Sequence, residues 1–271
     1  MLGCLRKMKT ELTSPVTYRL PLSDQQVDLN PLIGQKLTLR HSGQIFCVHC
    51  NRKTNKSFNQ GYCYPCFTTL AQCDLCIMKP ETCHYDKGTC REPVWGEKHC
   101  FQPHYVYLAN SSGVKVGITR QTQIPTRWID QGAVQALPVF KVQSRYISGL
   151  VEVIIANHVS DKTSWQRMLK NQVEPLDLAA IRDELLIECE SDLADISRRF
   201  GDHAIAYQAD ADQIDIEFPV AVYPTKVKSF NFDKQGEVSG VLQGIKGQYL
   251  IFDNGVINIR KFAGYEVELQ V

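Results

Sequence analysis

The chain has 271 residues, 44% of them hydrophobic and 22% charged, which is enough apolar material for two domains, or three if one is held by metal. Its 30 Lys and Arg against 29 Asp and Glu leave a net charge of +1, which excludes a protein that works by uniform positive charge. The charge is segregated instead: residues 1–70 carry nine basic and three acidic side chains, and residues 172–202 carry three and nine.

Residues 1–46 read as an N-terminal β segment. Val16-Thr-Tyr-Arg-Leu20 and Lys36-Leu-Thr-Leu-Arg40 alternate with the period of a strand, and Asn30-Pro31 and Ser42-Gly43 read as turns. The first residues include Arg6, Lys7, Lys9 and Glu11 and lack the apolar stretch of a secretory signal. No run of about 18 apolar residues follows, so no membrane span is expected. A cytoplasmic location is expected, and the 11 cysteines are then expected to hold metal rather than disulfides.

Residues 47–102 form a cysteine-rich module with few periodic apolar residues. Cys47-Val-His-Cys50 and Cys63-Tyr-Pro-Cys66 are two knuckles separated by twelve residues, each offering two thiolates on one tight turn. Four thiolates complete a closed tetrahedron, so a structural zinc ribbon is expected over 47–66. A second cluster spans 73–100 and holds more candidates than four positions can use: Cys73, Cys76, Cys83, Cys90 and Cys100, with His84 or His99 as substitutes. Both a second zinc and an iron–sulfur cluster fit that inventory, because soft thiolates take either.

Residues 103–171 read as strand, strand, helix, strand, helix, helix. His104-Tyr-Val-Tyr-Leu-Ala109 and Val114-Lys-Val-Gly-Ile-Thr119 flank Asn110-Ser-Ser-Gly113 as a hairpin, and Pro125 opens a short helix that Gly132 caps. Leu137–Val142 reads as a strand, and a helix is expected to begin after Ser148-Gly149. Trp128 reads as a core residue. Residues 172–203 are an acidic helical connector ended by Gly201, with Cys189 as a packed apolar residue. Residues 204–271 contain several short strands, enough for a small β-barrel or curled sheet. Lys226, Lys228, Lys246, Arg260 and Lys261, with Phe230, Phe232, Tyr249 and Phe252, offer cations and rings there; a plain packing domain is the competing reading. The fold class is therefore α+β.

Tyr105-Val106-Tyr107, Lys115-Val116-Gly117, Arg127 and Glu152, in that order, resemble the GIY-YIG nuclease superfamily over residues 103–171. The resemblance implies a ββαβα core and metal-assisted phosphodiester cleavage. Tyr107 would help deprotonate the attacking water, Arg127 would hold the scissile phosphate and Glu152 would hold one Mg²⁺. Lys115 stands where the family has its second tyrosine, and Tyr105 where it has its leading glycine. The family's histidine after the helix is replaced by Asp130 and Gln131, and its late asparagine has two candidates, Asn157 and Asn171. Phrases such as Lys115-Val-Gly-Ile-Thr-Arg120 and Gly244-Ile-Lys-Gly-Gln-Tyr-Leu250 also resemble an uncharacterised bacterial family of unknown function.

Arg120 and Arg145, and Arg52 and Lys53 between the knuckles, are the expected nucleic-acid contacts. Three functions stay open on the sequence. One is Mg²⁺-dependent cleavage of DNA or RNA; another is nucleic-acid binding by a degenerate nuclease core; the third is an iron–sulfur sensor or redox protein.

Overall fold

The structure, a computed structural model, describes residues 1–159 and 163–271. The chain opens with strands β1 (Leu2–Cys4), β2 (Lys9–Glu11), β3 (Thr17–Leu22), β4 (Gln25–Asp28) and the long β5 (Lys36–Phe46). β6 (Lys53–Thr54), α1 (Tyr64–Thr69) and α2 (Pro93–Cys100) lie in the cysteine-rich segment. β7 (His104–Asn110), β8 (Val114–Arg120), α3 (Thr126–Asp130), β9 (Gln135–Val142) and α4 (Arg145–Ala156) follow. Next come α5 (Trp165–Leu169) and α6 (Leu178–Phe200). The chain ends with β10 (Ile205–Tyr207), β11 (Ile214–Asp215), β12 (Glu237–Lys246), β13 (Tyr249–Phe252), β14 (Gly255–Asn258) and β15 (Tyr265–Gln270).

The result is a mixed α+β architecture with three sheets. The largest runs β1-β15-β5-β12-β13-β14, with β6 added to β5; the central one runs β10-β9-β7-β8, with β11 also on β9; β2-β3-β4 form the third. The C-terminal strands do not close a barrel. β12 and β15 pair antiparallel with the two edges of β5, and β15 takes β1 on its other side. The physical reason lies in the alternation. Leu37 and Leu39 of β5, Val238 and Leu242 of β12, and Val267 and Leu269 of β15 all point into one core, which neither end of the chain could build alone. β10 and β11 leave the C-terminal region altogether and extend the central sheet through β9.

The central sheet is covered on both faces, which is why β7 is buried along nearly its whole length rather than alternating. Val106 and Leu108 face α4 and α6. Tyr107 and Ala109 face the core shared with the large sheet, where Trp128 is fully buried beside them. α6 forms as expected. Asp177 caps its start by accepting from the amides of Ala179 and Ala180, Gly201 ends it at φ +94°, and Leu178, Leu185, Cys189 and Ile196 make its buried stripe.

Two local expectations are corrected. α4 begins at Arg145, with Ser144 accepting from the Ile147 amide, so Ser148-Gly149 lies inside the helix. Gly149 is there because a Cβ would stand 2.6 Å from the Glu81 nitrogen, where the turn Pro80–Thr82 docks on the helix. Ser42-Gly43 is likewise not a turn; β5 continues through it, and its register against β15 shifts across it, between His41 and Ile45.

The C-terminal cations and rings are also placed differently from a stacking surface. Phe230, Phe232 and Phe252 are core residues, and Tyr249 stacks on Trp165 at 5.8 Å. Lys246 is fully buried, donates to Asn171 Oδ1 at 2.7 Å, and stands 5.2 Å and 5.6 Å from the rings of Phe218 and Tyr223. Burial pushes its pKa down from 10.5 to about 7. The unfolded chain therefore holds one proton more than the folded chain between those values, and this group's contribution to stability rises with pH across that window. Lys246→Met should flatten a rise of at most about 1.4 kcal/mol per pH unit, the slope for one proton. Denaturant midpoints at several pH values between 7 and 10 measure it.

Candidate metal centre and cationic cleft

The first knuckle pair grows from the end of β5. β5 and β6 pair through Ile45↔Thr54 and Phe46↔Lys53, the Asn51 amide donates to the Cys47 carbonyl, and Asn51 takes φ +56° to close that turn. Cys63 caps α1, which presents Cys66 on its first turn. Phe46 donates to the Gly264 carbonyl at 2.7 Å, tying the knuckle to the large sheet.

The sulfurs of Cys47, Cys50, Cys63 and Cys66 all lie within 4.8 Å of one another, and Cys50 and Cys63 are 3.7 Å apart. Zinc bound by four thiolates at about 2.3 Å puts neighbouring sulfurs about 3.8 Å apart, so the four can hold a metal such as zinc. Burial works against the Cys47 thiolate, but amides of Cys50, Cys63 and His49 directed at it bring its pKa down to about 6. Arg52 hydrogen-bonds Cys50 and is itself raised by it. Four clustered thiolates without a cation would repel one another, so this chemistry fits a metal.

The second set of cysteines divides. Cys73 hydrogen-bonds Asn59 and feels Cys47, on the side of the first site. Cys76, Cys83, Cys90 and Cys100 are electrostatic neighbours of one another. The two histidines named as substitutes differ in their surroundings. His84 contacts Thr89 Oγ1 at 2.7 Å and Asp74 at 3.5 Å, and His99 stacks on Trp95 at 4.2 Å. Asp74, Cys76 and His84 also fall within 4.8 Å of one another, but Asp74 already pairs with Arg91 at 2.7 Å.

A cleft of about 280 Å³ opens beside β8, the edge of the central sheet. Lys7, Arg120, Arg127, Arg145 and Arg260 line it, with Asp130 and Glu152 as its acids. Asp130 is matched by Lys7, with which it makes an ion pair, and by Gln248, which donates to it at 2.9 Å. Glu152 has no carboxylate-to-cation contact within 4.0 Å among the described residues. Burial raises its pKa to about 7, opposed by Arg127 and Arg145. Burial also lowers the pKa of Arg145, with Arg120 and Arg127 adding like-charge repulsion, and that of Arg260, where Arg127 does the same.

Tyr107 reaches this cleft from inside the core. Its ring crosses Gly117, where a Cβ would stand 2.7 Å from the phenolic oxygen, so the position opposite Tyr107 must be glycine. The hydroxyl donates to Gln131 Oε1 at 2.9 Å. Burial raises its pKa to about 12, against the pull of Arg127, which hydrogen-bonds it. At neutral pH this tyrosine is therefore a proton donor and not a ready base.

The model of a family described as "Protein of unknown function (DUF2797)" matches residues 34–267. The chain belongs to that family. No curated protein matches the chain, and no solved structure does. The matched span takes in both cysteine groups and every cleft residue named above except Lys7.

Of the residues singled out in the sequence, Arg120, Arg127, Arg145 and Glu152 line the cleft, with Tyr107 beside them. Lys115 lies on β8 opposite Ala109, outside the lining. Arg52 and Lys53 sit at β6 and the first knuckle, also outside it. Asn171 is outside as well, engaged by Lys246. Lys7, Asp130 and Arg260 enter the cleft by tertiary contact, and no local pattern marks the first or the last. Among the described residues no helix is long and apolar enough to cross a membrane.

Replacing Cys63 by Ser removes one of four thiolates from the first site, where binding free energy is also folding free energy. The variant should lose about one metal ion per chain and become protease-sensitive between the knuckles. Metal analysis with limited proteolysis checks this, and unchanged values in both would dismiss the site.

Proposed function

We propose that the protein binds nucleic acid through a phosphodiester seated in the cationic cleft, and that the cleft supports Mg²⁺-dependent cleavage there. The observation that carries the reading is the convergence of Arg120, Arg127, Arg145 and Arg260 on one cleft. Like charges gathered in a half-buried site are unfavourable for the free protein, and an anion relieves them. Planar guanidinium groups match phosphate oxygens in pairs, which favours a phosphate over a simple halide. The order of Tyr107, Arg127 and Glu152 along the chain, with its resemblance to GIY-YIG nucleases, supports the same reading.

Glu152 is the residue that would hold Mg²⁺, and the ion would supply Lewis-acid stabilisation of the phosphate and its bound water. The half-buried, unpaired carboxylate fits a cation. Arg127, which hydrogen-bonds Tyr107, would hold a non-bridging oxygen while negative charge builds. The zinc expected at Cys47, Cys50, Cys63 and Cys66 is structural, because four thiolates leave no open position for substrate. The buried, protonated state of Tyr107 favours a second reading: the cleft binds a phosphodiester without cutting it.

Affinity for an oligonucleotide should fall with salt, and Arg120→Ala should lower the slope of log K against log salt by about one unit if it makes one phosphate contact. Glu152→Gln should abolish Mg²⁺-dependent nicking while metal-free binding holds or strengthens, since a negative charge is gone. Tyr107→Phe should cost roughly tenfold in rate if the hydroxyl only orients its neighbours, the worth of one hydrogen bond. A loss of about 10²–10⁴ would make it a general base. Absence of binding to DNA and RNA at low salt overturns the proposal. Binding without nicking in Mg²⁺ or Mn²⁺ selects the non-cleaving reading.

A further inference from the structure

The segment from Asp74 to Gln102 has little hydrophobic support: only Pro80 and Gly96 are buried, and Tyr85 and Phe101 meet edge to face at 4.7 Å. None of its residues belongs to any of the apolar clusters, and Leu75, Met78, Val94 and Phe101 are exposed. It is nevertheless an ordered succession of tight turns, Leu75–Ile77, Pro80–Thr82 and Tyr85–Lys87, followed by α2. Single turns of this kind are marginal by themselves, and beside a few hydrogen bonds such as Arg91 to the Phe67 and Leu70 carbonyls a cross-link would add most of their support. All the cysteines are free thiols, which removes disulfides as the cross-link.

Each of these pieces carries one thiol. Cys76 lies in the first turn, Cys83 ends the second, Cys90 follows the third and Cys100 ends α2. Cys83, Cys90 and Cys100 all act on Cys76, and Cys83 and Cys90 both act on Cys100. Cys90 packs against α2, 3.4 Å from where a Cβ on Gly96 would stand.

The spacing differs from that of the first site. There four sulfurs lie within 4.8 Å of one another; here no three of the four do. A single zinc needs sulfurs about 3.8 Å apart. A cubane cluster binds each thiolate through a different iron, so its ligands stand farther apart around a larger inorganic core. Cationic and N–H groups also border the four thiols. Arg145 and Arg120 act on Cys100, Arg145 donates to the Ile77 carbonyl next to Cys76, and the Arg145 Nε is buried with no partner. A cluster ligated by four thiolates carries excess negative charge and accepts N–H hydrogen bonds at its sulfurs.

We propose that Cys76, Cys83, Cys90 and Cys100 ligate a four-iron, four-sulfide cluster that folds this segment against α4, with Arg145 as the wall it shares with the cationic cleft. Cys73, His84 and His99 are not ligands. The site stands on metal content and is independent of whether the cleft binds or cuts nucleic acid.

The test is the full chain, produced without air in iron-supplemented cells and analysed for iron, acid-labile sulfide and zinc. About four iron and four sulfide per chain are expected beside one zinc, with brown colour and an electron paramagnetic resonance signal after reduction by dithionite. Cys83→Ser and Cys100→Ser should each lose most of the iron and keep the zinc, and Cys63→Ser should do the reverse. Cys73→Ser should keep both and serves as the folding control. Two zinc ions and no iron in the wild-type chain, after anaerobic production and after reconstitution with ferrous iron and sulfide, would overturn the proposal. So would iron and sulfide retained in full by both ligand variants.

Discussion

Strand β5 is the constraint on which the other elements depend. It is hydrogen-bonded along one edge to β15 and along the other to β12, and β6 continues the pairing at its end. A strand paired on both sides has its backbone groups satisfied and its register fixed, because a slip of one residue would turn Leu37 and Leu39 out of the core. The residue after β5 is Cys47, the first thiol of the metal site. The position of that site relative to the large sheet is therefore set by strand pairing, with Gly264 admitting the close approach of Phe46: a Cβ there would meet the Phe46 carbonyl oxygen at 2.2 Å.

The cationic cleft is assembled from parts of the chain that lie far apart in sequence. Arg120 ends β8, Arg127 is on α3, Arg145 starts α4 and Arg260 comes from the turn Ile259–Phe262. Two of these, Arg145 and Arg260, have their charged forms disfavoured by burial. Arrangements that raise the free energy of the folded chain persist where they do something, since ordinary packing would place carboxylates beside such cations. Asp130 shows what that ordinary solution looks like, held by Lys7 and Gln248. Glu152 is the contrasting case, a carboxylate left without close pairing in the same cleft. The cleft therefore holds more guanidinium than carboxylate charge.

Features encoded by neighbours in the chain were legible in the sequence. The β7–β8 hairpin, the end of α6 at Gly201, and the paired knuckles at Cys47–Cys50 and Cys63–Cys66 are all fixed within a few residues. What was not legible depends on distant partners. β1 meets β15 through Leu2↔Glu268, so a segment at each end of the chain looked like a domain of its own. Gly149 looked like a helix boundary because the reason for it, contact with Glu81 and Pro80, is tertiary. Lys246 looked like a surface cation, since nothing local announces the rings of Phe218 and Tyr223. Within the cleft, the residues with motif spacing were found and those arriving from the termini, Lys7 and Arg260, were not.

Arg145 joins the cysteine-rich segment to the cleft. It begins α4, donates to the Ile77 carbonyl in the segment, and acts on Cys76 and Cys100 on one side and on Glu152 on the other. The turn Pro80–Thr82 rests on the same helix at Gly149, and Glu81 adds its charge near Glu152. The thiols of the segment and the carboxylate of the cleft therefore act on one side chain. Negative charge at the thiols draws on the same guanidinium that a phosphate would use, and a buried side chain has little freedom to serve both fully. Arg145 is the side chain on which any coupling between the two places would have to act.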